Sequence, residues 1–147
     1  MKRWGSIDAS ELAALQKRLA VLNEQQMKLF YVAAAKELAA RLLRKVKKRT
    51  PVGQYPSGSG RTGGTLRRGW TVDTDVKVIG DTYEITVFNP VEYAPYVEFG
   101  HRTANHKGWV QGRFMLTRSE VELDAQAPGI LERKLTKMIA EAFSDGK

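Results

Sequence analysis

Apolar residues recur along this chain with two distinct periods. Leu12, Leu15, Leu19 and Leu22 fall at intervals of three and four, which traces one narrow seam of a helix. Asp8 with Glu11 three residues on has the form of a capping box at its start. A second stripe, Tyr31, Ala35, Leu38, Leu42 and Val46, keeps the same spacing. Neither glycine nor proline occurs between Ser6 and Thr50, and strong helix formers dominate that stretch. The pattern predicts either one long helix or two joined at a bend near Asn23, where Asn23 with Gln26 offers a second cap. Thr50 ends the helical stretch, because Pro51 disfavours helical geometry in the residue before it.

Residues 51–65, PVGQYPSGSGRTGGT, are rich in glycine, proline and serine and predict a flexible loop. The period then changes to two. Trp70–Val72, Val76–Ile79 and Tyr83–Phe88 carry the alternation and β-branched content of strands, with Gly80-Asp81 as a hairpin turn. Asn89-Pro90 ends the last strand, and Tyr93–Phe99 is short enough for one or two helical turns, with Gly100 suited to a left-handed C-cap. A polar loop, His101–Gly108, follows. Beyond Phe114 the chain reads as helix, interrupted at Pro128-Gly129, and Leu131, Leu135, Met138 and Ala142 with Ile130 and Ile139 form a final amphipathic segment. The expected class is α+β: a long N-terminal helix, a small antiparallel sheet of three to four strands, and C-terminal helices packed on the sheet. The expected organisation is a single domain over 1–147, with 1–22 as a helical extension, 51–65 as a loop and 66–147 as sheet and C-terminal helices.

Composition narrows the function. The 147 residues, 42% of them hydrophobic, suffice for one modest core. Lysine and arginine number 24 against 16 acidic residues, a formal charge of +8, which suits an acidic partner surface or a strongly solvated face. The absence of cysteine excludes disulfides, thiolate nucleophiles and cysteine metal sites. The basic start leads into no apolar run of signal type, and no window approaches the ~20 apolar residues of a membrane span. A soluble, unprocessed chain is expected.

Candidate chemistry is sparse. His101 and His106 stand in a loop without further ligands at metal spacing, and no nucleophile with its base is visible. No catalytic residue, metal, cofactor or small-molecule substrate is expected. The glycine-rich stretch Gly58–Gly69 lacks the Gly-Lys-Ser/Thr ending of a phosphate loop. Two clusters remain. Arg44, Lys45, Lys47 and Lys48, with Arg61, Arg67 and Arg68, form a basic patch that reads either as a solvated face or as phosphate contacts of a non-specific DNA-binding protein. Tyr93, Tyr96, Glu98, Phe99, Arg113 and Phe114 concentrate aromatic and charged groups as core, interface or both. Tyr93 and Val97 are expected inward, Tyr96 and Glu98 toward a partner.

Thr50-Pro51-Val52, Arg61-Thr62-Gly63-Gly64-Thr65-Leu66-Arg67-Arg68-Gly69-Trp70, Tyr93-Ala94-Pro95-Tyr96-Val97-Glu98-Phe99-Gly100 and Gly112-Arg113-Phe114-Met115-Leu116 occur in that order. Together they resemble a family of tailed-bacteriophage minor tail components, found in long-tailed phages and defective prophages. The resemblance spans about Leu22 to Phe143, and Gly64 is an extra glycine relative to the commonest form. It implies a non-enzymatic virion assembly role in tail completion or head-to-tail joining at the neck. It also implies a ring, commonly of six copies, whose partners are itself and other tail or connector proteins, with DNA in the neck as a further contact. The implied location is the virion, and the host cytoplasm during assembly.

Overall fold

A computed structural model of the chain describes residues 24–145. The Asp8 capping box, the Leu12–Leu22 seam, the 1–22 extension and the bend at Asn23 lie outside the described residues. The elements are α1 (Glu24–Arg49), α2 (Thr65–Gly69), β1 (Thr71–Val72), β2 (Lys77–Ile79), β3 (Thr82–Glu84), β4 (Val87–Phe88), α3 (Ala94–Phe99), β5 (Gly100–Arg102), β6 (Trp109–Gln111) and α4 (Met115–Asp145). The class is α+β, as the alternating periods predict.

The strands form three antiparallel ladders of two strands each: β1 with β4, β2 with β3, and β5 with β6. The stretch read as one strand, Tyr83–Phe88, divides because its two ends serve different partners. Tyr83 pairs with Val78 and Val87 with Val72. Between them the Thr86 carbonyl accepts the Asp73 N–H at 2.9 Å, which carries the β1–β4 ladder inward. Ile79 lies opposite Thr82, so Gly80-Asp81 is the two-residue hairpin turn expected.

The described residues fall into two compact units. In the first, residues 24–34 and 129–145, Ala34 and Ile130 are buried, while Leu131, Leu135, Met138, Ile139 and Ala142 are half-buried along one face. Tyr31, placed by its spacing on an apolar stripe, is 42% exposed there, with the Phe30 ring edge-on to it at 5.8 Å.

The second unit, Ala35–Pro128, holds the core of Val46, Leu66, Trp70, Ala94 and Met115, against which Leu43, Val87, Val91, Val97 and Leu116 pack. Its polar pin is Thr50, 1% exposed. The Thr50 hydroxyl donates to the Val46 carbonyl (2.6 Å) and accepts from the Trp70 indole N–H (2.7 Å). The Thr50 carbonyl accepts two bonds from the Arg67 guanidinium. One residue therefore ends α1, satisfies the buried tryptophan and ties down α2.

The interruption expected at Pro128-Gly129 does not occur, and α4 is one helix of 31 residues. Proline lacks the N–H that would bond the carbonyl of Asp124. Pro128 and Asp124 are both exposed, so water can serve that carbonyl.

Candidate functional site

The approach to α3 is set by local hydrogen bonds. Asn89 donates from Nδ2 to the Leu66 carbonyl (2.8 Å), and its Oδ1 accepts the Val91 N–H (3.1 Å), a turn that reverses the chain after β4. Pro95 stands in the first turn of α3, where a missing N–H costs nothing. Helical spacing then sorts the side chains. Ala94 and Glu98, four apart, face inward; Tyr96 and Phe99 are 59% and 62% exposed. Gly100 ends the helix with φ 91° and ψ 174°, a backbone region open essentially to glycine alone, rather than in the left-handed helical region expected. A Cβ there would lie 2.5 Å from the Val110 carbonyl oxygen, so β6 passes beside Gly100 only because that atom is absent.

Glu98 corrects the orientation read from sequence. Its side chain does not face a partner: the residue is 5% exposed, and its carboxylate closes the N-terminus of α4. Oε1 accepts the Leu116 N–H at 2.8 Å; Oε2 accepts the Thr117 N–H at 3.0 Å and the Thr117 hydroxyl at 2.8 Å. The first-turn amides of a helix have no intrahelical acceptor, and a carboxylate there also meets the positive end of the helix dipole. Phe114, just before the helix, has no side-chain oxygen to do this. It has φ 49°, its N–H donates to the Glu98 carbonyl (3.0 Å), and the Arg113 N–H donates to the Val97 carbonyl (2.8 Å). The structure thus gathers Glu98, Arg113 and Phe114 into one backbone junction between α3 and α4. Arg113 is exposed and Phe114 half-buried. Tyr93, expected inward, is 45% exposed, while Val97 packs on the core as expected.

On the outward side Tyr93, Tyr96, Val97, Gly100, His101, Arg102, His106 and Trp109 line an open groove of about 760 Å³. The Tyr96 and His101 rings meet edge to face at 6.3 Å. Trp109, 60% exposed, extends this apolar face onto β6. An exposed aromatic surface of this kind marks a contact site more often than a solvated one. Trp109 is legible in the aromatic pattern; the contribution of His101 and Arg102 comes from the β5–β6 pairing, which brings Arg102 opposite Trp109.

The basic patch is largely committed within the molecule. Lys45 donates to Glu122 Oε1 at 2.6 Å, and Arg49 bonds both Glu122 Oε2 and, at 3.1 Å, the Ser119 hydroxyl. Hydrogen bonds from Lys45 and then Arg49 hold the Glu122 carboxyl down to about 2 from an ordinary value of 4.5. Arg67 serves Thr50, Arg68 donates to the Gly63 carbonyl (3.1 Å), and Arg61 lies 5.9 Å from the Tyr55 ring centre. Arg44, Lys47 and Lys48 have no carboxylate partner among the described residues. With Glu98 occupied by α4, His101 and His106 have no carboxylate from it. Among the described residues no set of three His, Asp or Glu side chains converges as metal ligands, and no helix is long and apolar enough to cross a membrane.

The family described as "Bacteriophage HK97-gp10, putative tail-component" matches residues 13–100. The match takes in α1, the Gly-rich loop, the strands up to β4 and the whole Tyr93–Gly100 element; the Gly112–Leu116 step follows it. No curated protein and no solved structure matches the chain. More than half of the chain lies inside the family match, including the buried carboxylate of Glu98 and the Tyr93–Gly100 side of the groove: the protein belongs to the HK97-gp10-like family of bacteriophage tail components.

Proposed function

We propose that this tail component acts without a catalytic step in tail completion or head-to-tail joining at the neck, as a ring that meets tail or connector proteins on either side. It assembles in the host cytoplasm and ends in the virion. The observation that carries this reading is the exposed face of Tyr93, Tyr96, Phe99 and Trp109, held by a buried junction rather than by a loose loop. Large rings held in place by buried hydrogen bonds bind with little ordering cost.

The test is a phage carrying Tyr96→Ala with Trp109→Ala in this gene. Both side chains are exposed, so the fold is expected to keep its stability within about 0.5 kcal/mol. Electron microscopy of lysates is expected to show separate heads and tails; a normal yield of joined particles overturns the interface role.

A second reading rests on Arg44, Lys47 and Lys48, the cations of α1 left without carboxylates among the described residues. They suit the DNA that passes through the neck, or an acidic connector surface. DNA retention across a salt series separates the two, since contact with phosphates weakens steeply with salt and contact with protein leaves DNA retention flat.

A further inference from the structure

The β2–β3 hairpin carries chemistry opposite to that of the groove. Two strands alone are marginally stable in water. Val78 and Ile79 are 53% and 61% exposed, and as adjacent strand residues they point to opposite faces, so each face of the hairpin leaves one aliphatic side chain open. Within residues 77–84 the hairpin holds Asp81 and Glu84 against Lys77, which pairs across the ladder with Glu84, in a protein of net charge +8. The hairpin is therefore a weakly acidic arm with Asp81 at its turn and an exposed aliphatic side chain on each face beside it.

The groove has the complementary make-up. Its lining combines the rings of Tyr93, Tyr96 and Trp109 with Arg102, His101 and His106, and includes no carboxylate. Both surfaces stand open on the same chain, so they do not close on each other within it. We infer that the tip of the hairpin of one copy, Ile79 flanked by Asp81 and Glu84, seats in the aromatic groove of a second copy. Burial of Ile79 against the rings supplies the apolar contact, and the Asp81 and Glu84 carboxylates face Arg102 at the rim. The two sides of this contact use different residues, so copies add head to tail and close into a ring when the rotation permits. The inference rests on the ring reading above and names the surfaces that would make the ring.

The absence of cysteine makes the contact directly testable. Chains carrying Ile79→Cys are mixed with chains carrying Tyr96→Cys under mild oxidation, both substitutions being at exposed positions. The mixed dimer is expected to exceed both homodimers well beyond the statistical share, and a chain carrying both cysteines is expected to give a ladder of multimers. A statistical mixture, or no crosslink, overturns the contact. Sedimentation of Ile79→Asp and of Arg102→Glu supplies a second measure, each expected to weaken self-association at least about tenfold. Unchanged association of both variants overturns the hairpin-in-groove contact while leaving a ring formed through other surfaces intact. Joined, complete particles from a phage lacking the gene overturn the assembly reading itself.

Discussion

Glu98 is a carboxylate in a site only 5% exposed, and three donors from α4 make that burial tolerable. Its removal leaves two first-turn amides without their acceptor, at about 1–3 kcal/mol for each buried group. Glu98→Ala is expected to lower unfolding stability by about 2–4 kcal/mol, seen as a fall in the urea midpoint with an unchanged slope. Glu98→Gln keeps one carbonyl acceptor and is expected to lose less. An unchanged midpoint in Glu98→Ala shows that the cap is not a stabilising contact. The glutamate itself stands out in the Tyr-Ala-Pro-Tyr-Val-Glu-Phe-Gly sequence, but its partners are 18 and 19 residues further on. No local pattern reports a cap supplied from that distance. Thr50 is a similar case: Pro51 marks it as a helix end, yet the bond from the Trp70 indole crosses 20 residues.

At the scale of elements, period and turn chemistry were reliable guides where neighbours in sequence decide the conformation. The helix end at Arg49, the Gly80-Asp81 hairpin and the short α3 all follow from residues within a few positions. Pro128 is the instructive exception. A proline in the middle of a helix costs about 3 kcal/mol relative to alanine, which is why sequence argues for a break. The helix continues because the lost bond lies on an exposed face, and the apolar positions on either side, Leu123 and Ile130, are both buried. Pro128→Ala is accordingly expected to stabilise the protein by about 1–3 kcal/mol and raise the melting temperature. A lower melting temperature indicates that the proline is required for packing. The division of the sheet into three ladders was not legible, because alternation tells which side chains share a face and not which strand lies alongside.

For the molecule as a whole, the net charge of +8 overstates the free positive surface. Lys45 and Arg49 of α1 converge on Glu122 of α4, and that pairing sets a pH dependence. A carboxyl held at about 2 when folded and at the ordinary 4.5 when unfolded contributes its full stability above the unfolded value. The contribution is lost as pH falls through about 2. The urea midpoints of the wild type and Glu122→Gln are therefore expected to differ most at about pH 6 and to converge as acid protonates the carboxyl. Glu122 is 37% exposed, so added salt is expected to narrow the difference. A gap that does not change with pH removes the Glu122 charge as its source.

The sequence by itself determined the α+β class, the end of α1, the hairpin turn, the short α3 and the family, because these depend on residues close in the chain or on motifs in fixed order. It also singled out the aromatic segment. Which of those side chains became core and which became surface was decided only by the tertiary structure. Helical spacing places Tyr96 and Glu98 two residues apart and so on different faces, but nothing in α3 says which face meets the rest of the protein. The arrival of β6 beside Gly100 and of the α4 amides beneath Glu98 decided it. The buried carboxylate is turned inward by donors it can reach, and the rings without such partners are left exposed along the groove.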